Sequence, residues 1–140
     1  AQFIASPHQQ DLRLVTELTE VDVGIWEGRS WEDIAKEDPD AYRRFQADPG
    51  SYGYQGGESM QMVQDRAVPV LKAILDQHLG ETIVIVAHNV VNRAFLAAML
   101  GMPLAVSRRL MQDNGCLNFL EHRPGETLVR TVNLVHHLHD

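Results

Sequence analysis

Thr82-Ile83-Val84-Ile85-Val86-Ala87-His88 decides how this chain is read. Five β-branched residues in succession, with no charge among them, form the continuous apolar run that parallel sheets bury on both faces. His88 follows at once, and the small and apolar residues from Val90 to Leu100 predict a helix. Gly101 is its left-handed stop, and Pro103 opens a further short helix. In open α/β sheets the carboxyl ends of the strands line the ligand crevice. The N–H groups near Asn89 and Val90 would open into that crevice and favour an anion. An imidazole at that point can donate to a phosphoryl oxygen and stabilise charge during transfer. The plainer reading is a histidine that merely finishes a strand.

Upstream of this run, Met60, Val63, Ala67, Val70, Leu71, Ile74 and Leu75 recur at intervals of three and four, which predicts one helical stripe facing a core. Pro69 lies inside it and is expected to kink or split the helix; Gly80 closes it. Before it stands Gly56-Gly57-Glu58-Ser59. Glycines allow positive φ and Ser59 suits an N-cap, so the capping reading is preferred to one in which Glu58 or Ser59 touches substrate. Asp38-Pro39 opens a helix through Tyr42 and Phe45 that stops at Asp48-Pro49-Gly50. Ser30 caps a shorter one beginning at Trp31. Leu12 to Gly28 has no steady period, and Phe3-Ile4-Ala5 reads as a strand ended by Ser6-Pro7. Trp26, Trp31 and Tyr42 are expected to pack against the core.

Downstream, Cys116–Leu120 and Thr127–Val132 flank Arg123-Pro124-Gly125-Glu126 as a closing hairpin, and Asp113-Asn114 before it is turn chemistry. Helices alternating with strands place the chain in the α/β class as one domain over residues 1–140. No internal repeat or interdomain linker interrupts it.

Bulk properties narrow the function. With 140 residues and 44% hydrophobic content, one real core can form. The net charge of −7 argues against nucleic acid, whose phosphates need a basic face. A small phosphate ester remains compatible, because a local positive pocket can oppose the global field. Cys116 is the single cysteine, which excludes a disulfide framework and a cysteine metal cage. No apolar run reaches the length of about 18 residues that spans a bilayer. A cytoplasmic protein is expected. His8, His78 and His122 are scattered, while His136, His137, His139 and Asp140 make a polar tail, so no metal is predicted.

Glu20 is a second candidate. It lies among Glu17, Asp22 and Glu27, with glycines and Trp26 nearby. A carboxylic acid beside apolar groups can donate a proton to a departing alkoxide. Spacing alone does not choose among the four acids.

In order along the chain, these segments resemble the histidine phosphatase (phosphoglycerate-mutase-like) superfamily. Ala5-Ser6-Pro7 resembles the family's strand followed by Ser-Pro. Leu18-x-Glu20-x-x-x-Gly24-x-Trp26-Glu27-Gly28 resembles the segment holding the proton-donor glutamate, and Gly56-Gly57-Glu58-Ser59 its Gly-Gly-Glu-Ser loop. Val84-Ile85-Val86-Ala87-His88, with Arg93 and the helix to Gly101, resembles the strand that delivers the second active-site histidine. Asp113-Asn114 resembles the turn before the last strands.

The resemblance implies a three-layer α/β/α fold with a mostly parallel central sheet. It implies Glu20 as proton donor and His88 as the phosphate-contacting histidine, with Ser6, Glu58, Ser59 and Asn89 at the substrate, and no cofactor. It implies a small phosphorylated metabolite as partner, no membrane or nucleic acid, and leaves room for a homodimer. The activity implied is hydrolysis of a small phosphomonoester through a phosphohistidine intermediate. Mutase-type phosphotransfer and a non-catalytic phosphate-binding module are the alternatives. The short stretch between Asp48 and Gly56 tilts the reading from mutase to phosphatase.

Two departures stand out. The Arg-His-Gly motif that carries the attacking histidine in the family does not occur among the 140 residues. Gln10 stands where the family has a phosphate-clamping arginine, and Asp11-Leu12 follows with no helix between. A domain lacking its N-terminal segment and a further segment between residues 10 and 11 is therefore expected; a degenerate member is the other explanation. Asn89 also replaces a glycine common in the family.

Overall fold

The computed structural model describes residues 1–138; His139 and Asp140 of the expected polar tail lie outside them. Among the described residues five α-helices are formed: α1 (Gln2–Ala5), α2 (Trp31–Glu37), α3 (Pro39–Ala47), α4 (Met60–Gln77) and α5 (Asn89–Met99). Short 3₁₀ turns join them, and β1 (Leu117–Arg123) pairs with β2 (Glu126–Leu134) as an antiparallel hairpin. No helix among the described residues is long and apolar enough to cross a membrane.

Local chemistry explains the helix boundaries. The N–H of Asp33 donates to Ser30 Oγ at 3.1 Å, that of Ala41 to Asp38 Oδ1 at 2.9 Å and that of Met62 to Ser59 Oγ at 3.2 Å. Each satisfies a donor that the first helical turn leaves without a partner. Pro69 does not split α4, which runs unbroken through it. Gly80 and Gly101 take φ of +80° and +60°, as stops in the left-handed region require.

The core has α4 and α5 at its centre. Val63, Ala67 and Leu71 of α4 pack with Val91, Ala94 and Phe95 of α5, and Leu18 and Val21 close over them from the irregular segment. Gln64 Nε2 donates to the Ala94 carbonyl at 2.9 Å, which fixes one helix against the other. A second cluster is aromatic. Trp26 meets Phe45 and Tyr54 edge-on at 5.2 and 5.9 Å, and Trp31 stacks on Phe45 at 5.6 Å. Such pairs contribute beyond the area they bury.

Two expected strands are corrected. Gln2–Ala5 is a helical turn, with Phe3 96% exposed. Here the N–H groups of Ile4 and Ala5 both donate to the Ala1 carbonyl, local bonds that form where no neighbouring strand offers a ladder. Thr82–Ala87 lacks helix and strand pairing alike, and it is not buried on both faces: Val84 is 71% exposed. The β-branched run favours extended backbone, but a strand also needs a partner. The described residues accordingly form one two-stranded sheet, not a mostly parallel central one. Helices with this hairpin keep the chain in the α/β class.

Candidate functional site

Glu20 lies between two 3₁₀ turns, Thr16–Leu18 and Gly24–Trp26. Leu18 and Val21 are buried in the core on either side of it, which pins the backbone and leaves the half-buried Glu20 side chain at the rim. Its Oε1 accepts the N–H of Val21 at 2.9 Å. Its Oε2 accepts the N–H of Val90 at 3.3 Å. Val90 is the second residue of α5, and His88 is the residue that caps that helix. A carboxylate at this end of a helix is placed where the partial positive charge of the peptide dipoles is greatest.

His88 is exposed and extended (φ −118°, ψ 168°), and its carbonyl accepts the N–H of Asn92 at 2.9 Å. Its imidazole has no hydrogen-bond partner among the described residues. The two groups chosen from the sequence therefore stand at the same end of α5. Of the four acids, Glu20 is the one joined to that helix. The Asp22 carboxylate instead accepts the N–H of Gly24 at 2.8 Å, and Glu17 and Glu27 are exposed.

The other expected contacts divide. Glu58 turns inward: Arg66 Nε donates to its Oε1 at 2.7 Å and Arg66 Nη2 to its Oε2 at 2.9 Å. The same Oε2 accepts the N–H of Asp22 at 3.0 Å. The guanidinium fork holds the Glu58 carboxyl below its usual range, and the carboxylate in turn raises Arg66. Ser59 serves α4 as its cap. Asn89 sends its Nδ2 to the Gln112 carbonyl at 2.7 Å. Ser6 is exposed on the turn after α1 and is not brought to Glu20 or His88 by any hydrogen bond.

Close backbone approach fits the loop of Glu20 to the loop of Glu58. The Glu58 N–H donates to the Asp22 carbonyl at 2.8 Å, and that of Ile25 to the Gln55 carbonyl at 3.0 Å. A Cβ on Gly24 would lie 2.2 Å from the Gln55 oxygen, and one on Gly57 2.2 Å from the Asp22 oxygen. Only glycine fits both places.

Three arginines surround this end of the molecule in spite of the acidic total. Besides Arg66, Arg93 donates Nε to the Leu110 carbonyl at 2.9 Å. Arg108 stacks 4.3 Å over the Phe45 ring, with Nη1 on Gln46 Oε1 at 2.6 Å. Burial lowers the Arg108 pKa, and burial raises that of Tyr54, which feels Arg108, Glu20 and Arg93. Arg66, Arg108 and Tyr54 escape a sequence reading. The one available signal was Arg66 at the border of the apolar stripe, beside Ala67.

Residues 1–135 match the model of the histidine phosphatase superfamily (branch 1). The chain is 29% identical over 121 residues to phosphoserine phosphatase 1 of Hydrogenobacter thermophilus, covering 86% of this chain and 57% of that protein. It is 27% identical over 143 residues to the probable phosphoglycerate mutase GpmB of Salmonella paratyphi B, covering 99% of this chain and 66% of that one. It therefore spans less than two thirds of either relative. Among solved structures, Bacillus stearothermophilus YhfR superposes with a TM-score of 0.88 at 30% identity, over 98% of this chain and 68% of that one. A family model matched over residues 1–135, with a solved structure 30% identical over almost all of the chain, gives the assignment: the chain belongs to the histidine phosphatase superfamily.

Proposed function

We propose that this chain supplies the proton donor and the second histidine of a phosphatase that hydrolyses a small phosphomonoester through a phosphohistidine. The observation that carries the reading is the bond from the Val90 N–H to Glu20 Oε2, which joins the carboxyl to the first turn of the helix that His88 caps. In this mechanism the attacking histidine forms a P–N bond as the ester P–O bond breaks. Glu20 gives its proton to the leaving alkoxide and becomes a carboxylate. Water then attacks phosphorus, Glu20 takes the proton from it, and the P–N bond breaks to release phosphate. His88 donates to the phosphoryl oxygens, where negative charge is held throughout.

The attacking histidine is assigned to a segment outside these 140 residues, since they contain no Arg-His-Gly. Two observations support this. The matched relatives extend well beyond this chain. Thr82–Ala87 also stands without helix or strand pairing among the described residues, a β-branched run that a mostly parallel central sheet in the complete protein would engage. The phosphatase reading is preferred to the mutase one because Asp48–Gly56 folds tightly on itself, with Asp48 Oδ1 accepting the N–H groups of Gly50 and Ser51. Cytoplasmic phosphorylated metabolites are the proposed substrates, with O-phosphoserine the first to try given the Hydrogenobacter relative.

The test is a panel of O-phosphoserine, phosphoglycerates and sugar phosphates presented to the complete protein and to its His88→Asn variant. At least one ester is expected to be hydrolysed, and the variant to lose roughly 10²–10³ in turnover. Hydrolysis of none, or an unchanged variant, contradicts the proposal.

A further inference from the structure

Arg66 makes more bonds to the Glu20 segment than helix packing requires. Its Nε and Nη2 grip the two oxygens of Glu58 as a parallel fork. Its Nη1 donates to the Glu17 carbonyl at 2.5 Å, and Nη2 also reaches the Glu20 carbonyl at 3.4 Å. Glu58 completes the brace by accepting the Asp22 N–H. One guanidinium and one carboxylate thus hold the backbone at residues 17, 20 and 22, on both sides of the acid and at the acid itself.

The other end of the brace is rigid. Val63 and Ala67 flank Arg66 on α4 and are fully buried against α5, the helix that begins at His88. The distance from His88 to the Glu20 carboxyl is therefore set through α5, α4, Arg66 and the loop, while the Val90 N–H orients the carboxyl itself. Arg66 and Glu58 are mostly enclosed, with side chains 24% and 18% exposed, so the fork is sheltered from competing water.

We propose that Arg66 and Glu58 are positioning residues that hold Glu20 in reach of the leaving oxygen, a role that rests on Glu20 being the acid. Both act on Glu20 through the backbone they hold. Their contribution is geometric, and small displacements of a reacting group cost rate steeply. The effect falls on the step in which Glu20 donates its proton. It is largest for esters whose leaving group needs that proton and small for an activated aryl phosphate.

The experiment has two arms on the complete protein, with Arg66→Met, Arg66→Lys and Glu58→Gln. In the first, amide NMR compares the Val90 N–H signal with and without an added Glu20→Gln substitution. In the parent that substitution moves the signal, because the N–H is bonded to the Glu20 carboxyl. In Arg66→Met and Glu58→Gln that movement is lost, while the Met62 and Asn92 amides keep their positions and report intact helix starts. Arg66→Lys retains part of it. In the second arm, Arg66→Met lowers kcat for an alkyl phosphate roughly 10- to 100-fold with KM unchanged, and lowers kcat for p-nitrophenyl phosphate far less. If Val90 still follows Glu20 in folded Glu58→Gln, or if both esters slow equally, the positioning role is overturned. Loss of the Val90 response together with an inert Glu20→Gln substitution would uphold the brace and remove the acid role instead.

Discussion

The carboxylate of Glu20 accepts the N–H of Val90 at 3.3 Å across 70 residues of sequence. This bond joins an irregular segment to the first turn of α5. It brings Glu20 to the end of the helix whose N-cap is His88, the other candidate. The fold serves that meeting. Leu18 and Val21 anchor the segment in the core, and Val91 and Ala94 anchor the helix in the same core.

The Arg66–Glu58 pair makes stability depend on acid. Arg66 holds the folded Glu58 carboxyl below its ordinary 4.5. A depressed folded value contributes stability above the unfolded pKa, and that contribution is lost as pH falls through the folded one. Chemical denaturation at pH 7 is expected to show Glu58→Gln less stable than the parent by about 1–2 kcal/mol. At pH 3 the gap should narrow. A gap independent of pH would rule out the ion pair as its source.

Gly24 and Gly80 both have positive φ, yet their replacement by alanine is expected to differ in cost. At Gly24 (φ +56°) the new Cβ meets the Gln55 oxygen at 2.2 Å, and backbone must move. At Gly80 (φ +80°) nothing lies within 4 Å, and only the backbone preference is lost. Urea midpoints should place Gly80→Ala about 1–2 kcal/mol below the parent and Gly24→Ala about 3 kcal/mol or more below it. Equal costs would mean that the Gly24 loop relaxes freely.

Asn133 sits in the left-handed region (φ 57°) and pairs twice with Asp113: Oδ1 accepts the Asp113 N–H at 2.7 Å and Nδ2 donates to Oδ2 at 2.8 Å. These bonds tie the end of β2 to the turn before β1. Asn133→Ala loses both bonds and keeps the strained φ, so a stability loss of about 1–3 kcal/mol is expected by denaturant titration. Asn133→Gly should recover part of it by relieving the backbone. No recovery would show that φ contributes nothing there.

Helices α2 to α5 were legible because their signals are local. The stripe Met60, Val63, Ala67 and Leu71 and the caps Ser30, Asp38 and Ser59 are encoded within a few residues of where they act. The closing hairpin was legible for the same reason, with Pro124-Gly125 set between two β-rich runs. Thr82–Ala87 shows the limit of this reading. Its composition favours extended backbone, but ladder partners are non-local and cannot be read from the run itself. Phe3–Ala5 lost its expected strand in the same way. At the site, spacing alone left four acids alike; the resemblance singled out Glu20, and the fold joins that acid to α5. Arg66 was invisible because its partners, Glu17, Glu20 and Glu58, meet it only in three dimensions.

The central claim is that Glu20 donates the proton to the leaving group at the helix end marked by His88. Its most direct measurement is the turnover of Glu20→Gln in the complete protein on an alkyl phosphate and on p-nitrophenyl phosphate, side by side. General acid catalysis contributes roughly 10²–10⁴-fold, and a nitrophenolate leaves without it. A loss of that size on the alkyl ester with a much smaller loss on the aryl ester is the expected result. Equal turnover of parent and variant on the alkyl ester would contradict the account.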